Sequence, residues 1–258
     1  MGGFLFSEMI FGPVKSRRLG NSLGINLLPT KRKQCTFDCI YCECGWTPRE
    51  DDDKPLPSRS ELADALENKL IQLRAEQNIP DSITFAGNGE PTIHPDFAGV
   101  IDDTERLRNQ YFPHAEITVL SNSSMLHKTD IFDALIKIDN NVLKLDAGTE
   151  ETFKLINKPN PMYLTLDKVV RNLGKFGQKA IIQTMFLRGE IDGINVDNTT
   201  DKEVNAWLEH IRTIRPRYVM LYSIDRETAA SGLKKVPKED LYEIAEKLKD
   251  IRVKYNVY

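Results

Sequence analysis

Apolar positions along the 258-residue chain fall into two alternating kinds of run. Short runs of strand character end in turn residues: "SLGINLLP" (22–29), "SITFAG" (82–87), "AEITVLSN" (115–122), "NVLKLDAG" (141–148), "KAIIQTMFL" (179–187) and "RYVMLYSI" (217–224). Between them lie longer segments whose apolar residues recur three and four apart, the spacing of one helix face. In 58–77 these are Leu62, Leu66, Leu70, Ile71 and Leu73, with Ser58 or Ser60 placed as N-cap. Helices are also expected over 95–111, 128–138, 150–156, 164–176 and 200–213. A last one is expected over about 237–255, where Leu241, Ile244, Leu248 and Ile251 share a face.

Six strand–helix units predict an α/β fold with a parallel sheet and outer helices. Their right-handed connections fit a curled barrel or a doubly wound sheet, and the pattern alone does not separate the two. In both, functional groups gather beyond the C-terminal ends of the strands. The length suits one large domain, or at most two.

Composition narrows the function. A net charge of −3 gives no global basic face for nucleic acid, though it leaves room for a local patch. The start, "MGGFLFSEMIFGPV", lacks the basic opening of a signal peptide, and Ser7 and Glu8 break its apolar run. No run approaches the ~20 apolar residues of a membrane span. A reducing, cytoplasmic setting is therefore expected, in which cysteines are metal ligands more often than disulfides.

All four cysteines lie within "CTFDCIYCEC": Cys35, Cys39, Cys42 and Cys44. Zinc ribbons use two separated thiolate pairs, and His94, His114, His127 and His210 show no ligand spacing. A ferredoxin run would need a remote fourth cysteine. Three thiolates on one loop can hold three irons of a cubane and leave the fourth iron open to a small molecule. A zinc or purely structural loop is the competing reading.

The C-x3-C-x2-C spacing, with Tyr41 before the third cysteine, resembles the cluster loop of the radical S-adenosylmethionine (SAM) enzymes. Three further matches follow at strand ends. "GNGEPT" (87–92) is similar to the family's Gly-Gly-Glu motif with Asn88 replacing a glycine, and "SNSS" (121–124) and "KLD" (144–146) end the next two strands. The flank "FGPVKSRRLGNSLGINLLP" resembles a group of small, uncharacterised iron–sulfur oxidoreductases.

This resemblance implies a partial (β/α)6 TIM-like barrel in one domain over 1–258, with the cluster loop at 35–44. It implies one [4Fe–4S] cluster held by Cys35, Cys39 and Cys42, and SAM cleaved reductively to a 5′-deoxyadenosyl radical that abstracts hydrogen. Tyr41 would pack near the adenine. The turn of Gly87, Asn88, Gly89 and Glu90 would present carbonyls to the methionine ammonium, which offers only donors. Ser121, Asn122 and Asp146 would meet the ribose hydroxyls or the methionine end, and Lys144 a carboxylate. Lys144 and Asp146 share a strand face, as do Gln183 and Met185, of which Gln183 is the polar candidate and Met185 the core one.

Cys44, Asp225 and Arg226 are the candidate catalytic residues. Cys44 is either a structural thiol or a reactive one. Asp225, Arg226 and Arg188 either contact substrate or SAM, or are solvated ion pairs. The basic groups Arg17–Arg18 and Lys31–Arg32–Lys33 could steer a flavodoxin or ferredoxin, touch a phosphate-bearing substrate, or form a solvated surface run. "REDDDKP" (49–55) is expected to be a mobile polar loop. No cysteines remain for a second cluster. The expected substrate is a small molecule, then a tRNA nucleoside, then a peptide or protein. A non-catalytic iron–sulfur protein for electron transfer or regulation is the alternative of another class.

Overall fold

The computed structural model describes residues 3–48, 56–160 and 163–258. The expected polar loop at 49–55 lies outside them. The chain opens with an antiparallel hairpin, β1 (Ile10–Ser16) and β2 (Gly20–Ile25). Five strand–helix steps follow: α1 (Arg59–Ala75), β3 (Ser82–Phe85), α2 (Phe97–Tyr111), β4 (Glu116–Ser121), α3 (Thr129–Lys137), β5 (Asn140–Lys144), α4 (Glu150–Asn157), α5 (Leu166–Phe176), β6 (Ala180–Ile191), β7 (Ile194–Asp197) and α6 (Asp201–Ile214). The last part comprises β8 (Tyr218–Ser223), β9 (Leu233–Lys235), α7 (Lys238–Glu246) and β10 (Lys254–Val257).

The main sheet runs in the order β1-β2-β3-β4-β5-β6-β8-β10. Every neighbouring pair from β2 to β10 is parallel, so the cysteine loop and all following β–α loops share one rim. β1 and β10 end that path, as an incomplete barrel requires. Beyond the rim, the far half of β6 pairs antiparallel with β7 and β9.

One face of the sheet carries Ile83, Phe85, Ile117, Val119, Leu143, Ile182 and Val219, fully buried under helix residues such as Leu70, Ile101, Leu135, Leu173 and Trp207. The other face packs differently. Val142, Ile181 and Met220 form a separate cluster with Leu120, Tyr218 and Tyr258, with no helix residue among them. This is the inner face. Towards the strand starts it carries a hydroxyl ladder, with Ser22 and Thr84 2.8 Å apart, Thr84 and Ser82 3.0 Å apart, and Ser82 and Thr118 2.9 Å apart. Towards the rim, two-residue alternation puts Asn122, Lys144, Gln183 and Tyr222 on this same face.

Two sequence expectations are corrected. The hairpin strand β1 was not expected, because "IFGPVKS" contains Gly12 and Pro13. An edge strand tolerates the missing proline N–H, and the β1–β2 register slips between Phe11 and Val14. The helix expected to about 255 stops at Glu246, continues as a 3-10 segment over Lys247–Ile251, and gives way to β10. Leu248 and Ile251 are three apart, a spacing that suits both helix types. Arg252 then turns left-handed at φ 57° and ends the coil. Among the described residues, no helix is long and apolar enough to cross a membrane.

Candidate functional site

The cysteine loop is stapled into the rim by backbone. Gln34 bridges Gly89: Gln34 N donates to Asn88 O at 2.8 Å, and Glu90 N donates to Gln34 O at 3.2 Å. Asp38 N and Ile40 N donate to Lys158 O and Ile156 O at the end of α4, and Ala230 N donates to Ile40 O. Phe37 and Ile40 point inward as buried anchors, Phe37 edge-on to Phe153 at 5.6 Å. All four thiols are free, with Cys39 buried and the others half-buried.

Three N–H groups reach the sulfurs. Phe37 N lies 3.4 Å from Cys35 Sγ, Asn122 Nδ2 lies 3.5 Å from Cys35 Sγ, and Asn157 Nδ2 lies 3.5 Å from Cys39 Sγ. Donors of this kind orient thiolate ligands and tune iron–sulfur centres. Among the described residues no three Cys, His, Asp or Glu side chains lie close enough to share one metal ion. A cubane, several atoms wide, needs its thiolates further apart than that.

Lys33 belongs here and not to a surface run. Its side chain is 1% exposed, and Nζ donates to Asp38 Oδ1 and to Gly45 O, both at 3.1 Å. Burial opposes its charge, but Cys42, Cys35 and Asp38 outweigh it and raise its pKa. Burial pushes the Cys35 thiol up to about 12, against Lys33, and also raises Cys39. Cys42 goes the other way, down to about 6, because the Cys44 thiol donates to it and Lys33 is near. Cys44 is raised in return, and its Sγ lies 3.6 Å from Gly87 O. Buried thiols that resist ionisation become ligands once a cationic core pairs with them.

Next to the loop, Glu90 and the end of β4 form a polar shelf. Glu90 is buried, which raises its pKa, and it accepts from Ser121 Oγ at 2.8 Å, Asn122 N at 2.5 Å and Thr92 N at 3.2 Å. The Asn88 side chain is used elsewhere, bonding Phe6 N, Phe6 O and Pro29 O. Asn88 O is taken by Gln34, whereas Gly87 O lies beside the Cys44 thiol.

On the other side, Asp146 is a fully buried hub. It accepts from the Tyr41 hydroxyl, from Asn157 Nδ2 at 2.8 Å and from Met185 N at 2.9 Å. Lys144 Nζ lies 3.4 Å from it and also donates to the Tyr41 hydroxyl. Burial works against the Lys144 charge, but Asp146 and the nearby Cys39 and Tyr222 raise its pKa strongly. Gln183, half-buried, is the register partner of Lys144 on β6.

Two candidate catalytic residues sit apart from this hub. Asp225 is exposed between Arg17 and Lys235, each at 2.6 Å, and Arg226 clasps Glu43 of the cysteine loop at 2.8 Å. Arg188 is held by Asp240 at 2.7 Å and Thr199 at 2.8 Å, bracing the β6 extension. Sequence reasoning named Lys33 only within a basic run, and missed Asn157 and Tyr222. Only Tyr222 carried a signal, the two-residue alternation of β8.

The family model described as the Radical SAM superfamily matches residues 33–195, which span the cysteine loop, the Gly87–Glu90 turn and the hub. The chain belongs to the radical SAM superfamily. Membership implies an iron–sulfur cluster and SAM, and the thiol donor set fits the former. A UPF0026 protein of Helicobacter pylori is 29% identical over 225 residues, covering 86% of this chain and 68% of that protein. A protein of Brachyspira hyodysenteriae named GTPase Obg is 30% identical over 237 residues, 92% of this chain. The chain spans only 33% of that relative's length. Among solved structures, Streptococcus suis SuiB bound to S-adenosylmethionine matches with a TM-score of 0.62 at 17% identity, over 91% of this chain and 50% of SuiB. That likeness concerns the fold, a parallel sheet with surrounding helices.

Proposed function

We propose that residues 1–258 form one radical SAM catalytic unit acting on a small-molecule substrate, with Cys35, Cys39 and Cys42 holding one [4Fe–4S] cluster. When bound, cluster and SAM supply a 5′-deoxyadenosyl radical that abstracts hydrogen from the substrate. The observation that carries this reading is the N–H···S pattern on the cysteine loop beside the buried Lys144–Asp146 pair.

The chain's own residues divide the remaining work. Gly87 O accepts from the methionine ammonium, and Lys144 meets its carboxylate. Tyr41, oriented by its hydrogen bonds to Asp146 and Lys144, packs against the adenine. Asn122 holds ribose hydroxyls, and Asp146, fully buried with both oxygens bonded, positions Tyr41 and Lys144. Cys44 remains a thiol that supports Cys42. The cluster loop and the rim loops over it exclude water from the inner face. An external reductant of flavodoxin or ferredoxin type approaches the exposed basic groups at Arg17 and Lys31.

The test is anaerobic reconstitution followed by electron paramagnetic resonance of the reduced protein. SAM should change the spectrum of the wild type, and Cys39→Ala should lose the signal. An intact cluster spectrum that ignores SAM would instead favour a non-catalytic electron-transfer or regulatory protein.

A further inference from the structure

Arg17 and Arg18, adjacent in the β1–β2 turn, send their side chains to opposite environments. Arg17 is 70% exposed and pairs with Asp225 across the open side of the sheet. Arg18 reaches the inner face instead. Its guanidinium carbon lies 5.0 Å from the centroid of the Tyr222 ring, and its Nη1 is buried with no hydrogen-bond partner. Among the described residues no carboxylate pairs with Arg18. Tyr222 is the rim-side residue of β8 on the inner face, within electrostatic reach of both Arg18 and Lys144.

The other ionised groups named on this face have hydrogen-bond or ion-pair partners. Lys144 has Asp146, Glu116 accepts from Asn140 at 2.7 Å, and Arg217 donates to Asn140. A guanidinium donor withdrawn from water without an acceptor is costly, and native interiors seldom leave one so. The flat guanidinium resting on an aromatic ring presents a fork that suits a carboxylate or a phosphate. Lys33 and Lys144 are both near the cysteine thiols, and of the two Lys144 lies on the inner face, beside Cys39, where SAM would meet it.

We infer that Arg18, held on the Tyr222 ring, anchors an oxyanion group of the substrate, a carboxylate or a phosphate, on the inner face of the sheet. The substrate is then an anionic small molecule, bound by its charged end at Arg18 with its remaining atoms towards Lys144 and the cysteine loop. The anion is taken to belong to the substrate of the radical reaction proposed above, and to that extent rests on it.

The test is calorimetric titration of the anaerobically reconstituted protein at constant ionic strength, with and without SAM, using inorganic phosphate and, separately, succinate. The wild type should bind one of the two more tightly, which distinguishes a phosphate from a carboxylate substrate. Arg18→Gln should weaken that binding about tenfold while leaving SAM affinity within about twofold. Arg18→Lys, which keeps the charge, should fall between them and, with the melting temperatures, shows whether loss of the fork or loss of the fold is being read. Failure of both anions to bind, or equal binding by wild type and Arg18→Gln, overturns the subsite. Loss of SAM affinity in Arg18→Gln also overturns it, by giving the residue to the cofactor. A wild type that binds the anion through Arg18 but never binds SAM sinks the radical reading and leaves the anion site standing.

Discussion

Asn157 Nδ2 lies 2.8 Å from Asp146 Oδ2 and 3.5 Å from Cys39 Sγ, so one amide at the end of α4 joins the strand-end carboxylate to the cysteine loop. Its Oδ1 is buried without a partner, so both amide donors matter and the acceptor adds nothing. Asn157→Ala should lower the stability of the protein by about 2 kcal/mol, since Asp146 loses a donor in a buried setting. Urea unfolding of wild type and variant checks this, and an unchanged midpoint contradicts it.

Lys144 and Asp146 should behave as a coupled pair. Lys144→Met leaves a fully buried carboxylate short of its cation and should cost about 3 kcal/mol, as should Asp146→Asn. The double variant should cost clearly less than the sum, by about 1 kcal/mol or more. A double-mutant cycle that is additive means that the pair, though 3.4 Å apart, does not interact in solution.

Two glycines make a contrasting pair. A Cβ at Gly89 would meet Gln34 O at 1.8 Å, and its φ of +145° is foreign to L side chains. Gly89→Ala should therefore pull the Gln34 bridge apart, cost about 3 kcal/mol and reduce iron uptake during reconstitution. Gly174 lies within α5 with nothing within 4 Å of such a Cβ. Gly174→Ala should raise stability by about 0.5–1 kcal/mol. Thermal melting compares all three proteins.

Away from the site, Arg59 Nε donates to Asp103 Oδ2 at 2.7 Å and holds that carboxyl below its ordinary value of 3.8. A lowered folded pKa stabilises the protein above the unfolded pKa, and the gain disappears as pH falls through the folded one. Asp103→Asn should thus lose about 0.5 kcal/mol above pH ~4, the value being small because the pair is partly solvated, and progressively less as the pH falls below that. Urea midpoints across pH 2–7 measure it. A loss that persists at the acid end points to packing and not to charge.

The alternating strands and helices were legible because each β–α unit buries one face, which writes period two or period 3.6 into the sequence. The cysteine loop was legible because its ligand spacing is local. What escaped depends on contacts far away in the chain. Asn157 and Cys39 are 118 residues apart, and Tyr41 and Asp146 are 105 apart. Lys33 reads as one of three surface cations, yet Asp38 and the Gly45 carbonyl draw it inside. Arg17 and Arg18 are alike in sequence, and only the turn of the β1–β2 hairpin sends one to solvent and the other to Tyr222. The Lys144–Asp146 pair was expected on one face from strand alternation, although Asp146 itself lies just past the end of β5.

Reductive cleavage is read directly from the yield of 5′-deoxyadenosine when the anaerobically reconstituted protein is reduced with dithionite in the presence of SAM. The wild type should form it, even slowly without substrate, and Cys39→Ala should form none. No deoxyadenosine from a wild type that carries its full iron complement would contradict the radical SAM function proposed for this chain.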